Sequence, residues 1–214
     1  MLQIFFIILV QSFALGDYYK TDCIGPMTAK KSFVYLHGWD DPNMGSHEKE
    51  NRRQFQKWAK KKGWRIALPR GKSRCSKGRR QCWNTRTKDS VLRAWNRIQE
   101  ASLKCKLTAD WGVVGFSNGG YLVSSLFTLC PANMPNWLMQ FGAGENSRVG
   151  SIQKKDCTPF AIAIGKRDIS FAKAKAYAAR LKALGSPVLY HEFHGGHVID
   201  FALLSRLIDK KFIH

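Results

Sequence analysis

Six short, mostly apolar runs are spaced along the chain, with amphipathic or alanine-rich stretches between them. They are Ser32 to Leu36, Trp64 to Pro69, Trp111 to Val114, Trp137 to Phe141, Phe160 to Ile164 and Val188 to Phe193. Apolar runs of this length, bounded by glycine, proline or charge, predict strands buried on both faces, the condition of a parallel sheet. The intervening stretches change period. His47 to Lys62 is charged except for Phe55, Trp58 and Ala59 on one face, and Asp89 to Cys105 places Val91, Leu92, Trp95, Ile98 and Leu103 at helical spacing. Tyr121 to Leu129 predicts a buried helix, Phe171 to Leu184 an alanine-rich one stopped by Gly185-Ser186-Pro187, and Val198 to Lys210 a final one. Strands alternating with helices predict an α/β protein: a mostly parallel sheet of about six strands with helices on both faces.

The first sixteen residues break this pattern. An apolar core, Ile4 to Val10, is followed by Gln11-Ser12 and the small-residue run Ala14-Leu15-Gly16, which predicts a secretory signal over 1–16, cleaved before Asp17. The run is too short to span a bilayer. It has no Lys or Arg before the apolar core, so an uncleaved anchor or a buried first strand is the alternative. The remainder, 17–214, is of a length for one domain with a substantial core. Six cysteines, an even number in a chain with such a leader, predict disulfides and a periplasmic or secreted location. Fifteen pairings are open to six cysteines, among which Cys75 with Cys82 would close a surface loop.

Charge adds a second theme. The formal net charge is +20, and about twenty of the 35 Lys and Arg lie between Lys49 and Lys106. A field of that sign attracts an anionic polymer, an anionic surface or an acidic substrate; the plainer alternative is a basic surface that aids solubility.

The chemistry concentrates at the junction of the third strand and the helix after it, where Gly115-Phe116-Ser117-Asn118-Gly119 forms G-x-S-x-G. Small residues at 115 and 119 let strand and helix approach closely, the turn forces Ser117 into a strained backbone, and free N-H groups of the helix N-terminus, that of Asn118 first, face any oxygen that becomes negative. A glycine-flanked serine alone is as readily an ordinary turn or cap. Order along the chain tips the balance. A strand ending in His37-Gly38-Trp39 precedes the serine, a strand ending in Gly165-Lys166-Arg167-Asp168 follows it, and the last strand leads through Gly195-Gly196 to His197. Asp168 is the expected acid and Glu145, one strand earlier, the reserve. His37 precedes the serine and is expected to brace its loop. His191, His194 and His197 recur every third residue, but strand alternation sends 191 and 194 to opposite faces, so no metal is expected.

In this order and spacing the four motifs resemble the α/β-hydrolase superfamily across nearly the whole chain after 16, and in detail its small lidless carboxylesterases, dienelactone hydrolases and polyhydroxybutyrate-depolymerase-like esterases. Cys82-Trp83-Asn84 is similar to a cysteine-tryptophan segment of the last group. The resemblance implies a serine hydrolase that cleaves carboxylic esters without a cofactor, with Ser117 as nucleophile, His197 as base, Asp168 as its partner, and the N-H groups of Trp39 and Asn118 as oxyanion donors. A peptidase or thioesterase would use the same constellation, and a polyanion-binding protein could occupy the same scaffold. About six strands against the family's usual eight imply that the first hairpin is missing.

Overall fold

The alternation seen in the sequence is realised as a seven-stranded sheet. The structure is a computed structural model that describes residues 21–40, 47–75, 80–152 and 157–209. The expected signal over 1–16 lies outside these, as do Lys77 and Arg79 of the basic loop and the expected end of the last helix at Lys210.

The strands of the main sheet are β1 (Asp22–Ile24), β2 (Ser32–Leu36), β3 (Arg65–Leu68), β6 (Gly112–Phe116), β7 (Trp137–Phe141), β8 (Phe160–Gly165) and β9 (Val188–Phe193), in spatial order β1-β3-β2-β6-β7-β8-β9. All neighbours are parallel except β1, which pairs antiparallel with β3 at the edge. This strand is absent from the six expected, because three residues, one of them charged, carry no apolar run. It is held instead by the disulfide Cys23–Cys105, which fastens the edge to the end of the second helix.

Both faces of the sheet are covered, and the strands divide their side chains between them. Val34, Leu36, Val113, Leu138, Phe160 and Ile162 enter one core with α2 (Lys88–Lys104), α3 (Asn118–Leu129) and α4 (Phe171–Ala183). Phe33, Tyr35, Val114, Met139 and Ala161 enter the other with α1 (His47–Lys62) and α5 (Phe201–Asp209). Burial on both faces is why these strands read as continuous apolar runs rather than as alternation. Two helix expectations change. Leu103 is 78% exposed rather than part of the α2 stripe, because Ala101, Ser102 and Cys105 make the inward contacts of the last turn. The last helix starts at Phe201 rather than Val198, since the loop after β9 continues through the histidine.

The stretch from Arg70 to Arg86, expected as a basic loop, contains a small hairpin of β4 (Ser73–Cys75) and β5 (Arg80–Cys82), closed by the disulfide Cys75–Cys82. A third disulfide joins Cys130 to Cys157, and none of the six cysteines is free. Three disulfides fit an oxidising compartment. Among the described residues no helix is long and apolar enough to cross a membrane.

Candidate active site

Strand order reverses between β2 and β6, and the crevice beyond the carboxyl ends of strands at such a point is where parallel sheets place their sites. Ser117 follows β6 directly. Its backbone takes φ 53° and ψ −114°, a conformation that L residues rarely adopt. The surroundings enforce it: the Ser117 N-H donates to the Phe141 carbonyl at 2.9 Å, and its own carbonyl accepts from Tyr121 at 3.0 Å as the first bond of α3. A Cβ on Gly115 would collide with the Gly119 carbonyl, and one on Gly119 with the carbonyl of Leu36 at the end of β2. Both glycines are thus required by close backbone approach.

The turn after β8 and the loop after β9 are laced together by backbone hydrogen bonds. Lys166 donates to Phe193 at 3.0 Å and Arg167 to Gly195 at 2.9 Å. This juxtaposes the buried Asp168 with His197: His197 Nδ1 lies 2.9 Å from Asp168 Oδ2. The other carboxylate oxygen accepts from the Ser170 N-H at 2.7 Å, so the carboxylate is fixed in orientation. The His197 ring packs over Gly142, which has φ +60° and leaves space for the ring, and against Phe116 with centroids 4.9 Å apart. Glu145 is elsewhere, ion-paired with Arg180 at 2.6 Å.

His37 is fully buried and joins two loops. Its Nδ1-H donates to the Gly38 carbonyl at 2.6 Å, while Nε2 accepts from the Gly71 N-H at 2.8 Å, a pairing that fixes the neutral tautomer. Burial, with the charges of Arg52, Arg70 and Arg97, lowers its pKa to about 3. The next residues are held by the hairpin. Asp40 and Gln81 exchange backbone bonds at 3.0 and 2.8 Å, and Asp40 pairs with Arg70 at 3.0 Å. Trp83 donates its indole N-H to the His37 carbonyl at 3.1 Å, and its backbone clasps the Asn118 side chain at both ends, at 2.6 and 3.2 Å. Trp39 is half exposed at the rim, its ring 5.7 Å from the Arg80 guanidinium.

A pocket of about 460 Å³ brings Ser117, Asn118, Gly38, Trp39, Gly142 and His197 into one wall. Several of its residues carried no signal in the sequence. Tyr121 read as part of an apolar helix, yet it faces the pocket with its hydroxyl 3.3 Å from Ser170. Glu48 read as part of a charged helix face, yet it is buried beneath the pocket. There it accepts from the Tyr35 hydroxyl at 2.8 Å and lies 2.9 Å from Arg52. Burial pushes its carboxyl up to about 7, against the pull of Arg52 and Tyr35. No group of three or more His, Cys, Asp or Glu able to hold a metal is found among the described residues.

Solved structures share this architecture. The esterase PE8 superposes with a TM-score of 0.69 at 16% identity, covering 92% of this chain and 99% of its own. The Bacillus cereus carboxylesterase gives 0.64 at 16% identity, with 91% and 93% covered. A phospholipase/carboxylesterase from Dyadobacter fermentans gives 0.60 at 19% identity, with 92% and 97% covered. The fold is therefore that of the α/β hydrolases, with no large lid among the described residues. No protein-family model matches the chain, and no curated protein matches it significantly in sequence.

Proposed function

We propose that the protein is a secreted or periplasmic serine hydrolase that cleaves carboxylic esters through an acyl-enzyme, its leader removed from one α/β-hydrolase domain over 17–214. The observation that carries this reading is the 2.9 Å contact between His197 and the buried Asp168, with His197 and Ser117, the latter on a strained turn, lining one pocket. Ser117 Oγ attacks the carbonyl carbon and His197 Nε2 takes its proton. Asp168 holds Nδ1-H and so keeps Nε2 facing the serine. The N-H groups of Asn118, at the start of α3, and of Trp39 receive the oxyanion, a contribution of about 3 to 4 kcal/mol per donor in such sites. The proton on His197 then goes to the departing alcohol, and water releases the acyl group by the reverse sequence. No step calls for a cofactor. The carboxylesterases among the structural neighbours favour esters over peptides or thioesters.

Attachment of the region from Lys49 to Lys106 to an anionic polymer or surface gains no support from these contacts. Arg52, Arg65, Arg70 and Arg97 of this region turn inward to carboxylates or backbone carbonyls. Arg80 lines the reactive pocket, so it is not separate from the active-site wall as a detached docking surface would require.

Hydrolysis of p-nitrophenyl esters tests the assignment. Ser117→Ala is expected to lower turnover about a thousandfold or more while leaving the fold intact. Asp168→Asn should cost far more than Glu145→Gln, because only the former changes the partner of His197. Wild-type turnover in Ser117→Ala would end the assignment; the reverse ranking would move the acid.

A further inference from the structure

Trp83 holds both of the segments that meet beside Ser117. It is 2% exposed and is not among the described residues that line the reactive pocket. Its backbone N-H donates to Asn118 Oδ1 at 2.6 Å, and its carbonyl accepts from Asn118 Nδ2 at 3.2 Å. Its indole Nε1-H donates to the His37 carbonyl at 3.1 Å, and its ring lies 5.3 Å from that of His37. One residue thus grips the start of α3 on one side and the end of β2 on the other. Trp83 is itself seated firmly. Cys82 before it is buried and bonded to Cys75, and the chain there runs so close to Gly71 that a Cβ on the glycine would collide with the Cys82 carbonyl.

Each grip bears on one of the N-H groups proposed to receive the oxyanion. The side chain of an asparagine readily bonds nearby backbone N-H groups, and those at the start of a helix are free to accept it. Left loose, Asn118 Oδ1 would cover these donors and set its own partial negative charge where the oxyanion forms. With both ends of the amide taken by the Trp83 backbone, the side chain is kept off them. The indole acts on peptide orientation. A planar trans peptide points its C=O and N-H in opposite directions, so holding the His37 carbonyl fixes the 37–38 peptide and the course of the chain into Gly38 and Trp39. Because both grips come from one residue, they set one distance, that between the two donors. Resting on the ester-hydrolase reading above, we propose that Trp83 is a positioning residue of the reaction: it sets the spacing and direction of the Asn118 and Trp39 N-H groups, so the oxyanion site is formed before substrate arrives. Donors fixed in advance favour the transition state over the ground state, whose carbonyl oxygen carries less charge, so the device acts on kcat rather than on KM.

The test is a double-variant cycle on hydrolysis of p-nitrophenyl butyrate. Trp83→Phe keeps a ring in place and removes the indole donor while leaving the clasp on Asn118. Asn118→Ala keeps the helix N-H and removes the clasp. Each is expected to lower kcat about 10-fold with KM changed by no more than about twofold, a smaller loss than deletion of a donor causes. Binding of a trifluoromethyl ketone, whose adduct with Ser117 carries the oxyanion, should weaken in the same proportion as kcat/KM. Since both grips serve one distance, the double variant should fall well short of the product of the two losses, about 100-fold. Wild-type kcat in either folded variant overturns the proposal and leaves the ester hydrolase standing, as does a loss that appears in KM alone. Losses that multiply in full also overturn it, because the two grips would then act independently. Should Trp83→Phe fail to fold, Asn118→Ala decides by the same split of kcat from KM and the same weakening of the inhibitor. Wild-type protein that hydrolyses no ester removes the hydrolase reading and this one with it.

Discussion

The serine turn and the disulfide hairpin flank the same pocket, and they are held in place by different physics. The turn is fixed by exclusion. Gly115 and Gly119 sit against backbone carbonyls, Ser117 is strained, and two layers of core apolar side chains hold strand and helix in register around it. The hairpin meets the core at one end, through the buried Cys82 and Trp83. Its strands are Ser73–Cys75 and Arg80–Cys82, three residues each, and it is kept by one disulfide, the Asp40–Gln81 backbone pair and the clasp between Trp83 and Asn118. The side that holds the strained Ser117 is therefore built from packing. The side that shapes the loop after β2 relies mainly on polar bonds and a covalent tie.

The largest effect should come from the packed side. Gly119→Ala places a methyl group against the Leu36 carbonyl, where only backbone movement could make room. Overpacking of this kind costs up to about 3 kcal/mol. The movement would also carry Ser117 away from His197, so ester turnover should fall by more than the loss of folded protein accounts for. Thermal unfolding and turnover measured on the same preparation would check this, and normal values for both would show that the glycine is not needed for close approach.

The hairpin should respond differently. Cys75–Cys82 spans a sequence separation of 7, whereas Cys23–Cys105 spans 82. By loop entropy the first contributes about 2.5 kcal/mol and the second about 4.5 kcal/mol. Cys75→Ser/Cys82→Ser should therefore be the less destabilising of the two double variants. Yet it should lower turnover of a neutral ester about 10-fold, because Gln81 and Trp83 hold the backbone on either side of Trp39 and the side chain of Asn118. Unchanged turnover in the folded variant would mean that the loop after β2 stands without the hairpin.

The same contrast explains what the sequence could disclose. Packing leaves periodicity and glycines at fixed offsets, so β2, β6, β7, β8 and β9 and the residues Ser117, Asp168 and His197 were visible as runs and motifs in chain order. Polar tethers leave no period. The three-residue strands β4 and β5 were hidden in a basic loop, and β1 was hidden by its brevity. Arg148, Lys173 and Arg180 lie outside the stretch where charge is densest in the sequence, and only folding gathers them along one cleft. Glu48 was hidden for the opposite reason, since a lone buried carboxylate in a charged helix looks like any exposed one.

His37 sharpens the comparison, because it belongs to both sides at once. It follows the packed strand β2, and Nε2 accepts from Gly71 on the stem of the hairpin. Protonation would remove that acceptor and set a cation against Arg52, Arg70 and Arg97. The pKa is about 3 in the fold and 6.5 in the unfolded chain, so between these values the unfolded state binds a proton that the folded state does not. The neutral imidazole therefore stabilises the fold fully above about pH 6.5, and its contribution falls as pH drops towards 3, by about 1.4 kcal/mol per unit in the middle of that window. His37→Gln lacks this titration. Wild type should thus exceed the variant in stability by the most at pH 7, and the gap should narrow at pH 5.5 and again at 4.5. Chemical denaturation of both proteins at the three values measures it, and a gap that stays constant would show that the contact with Gly71 tolerates a proton.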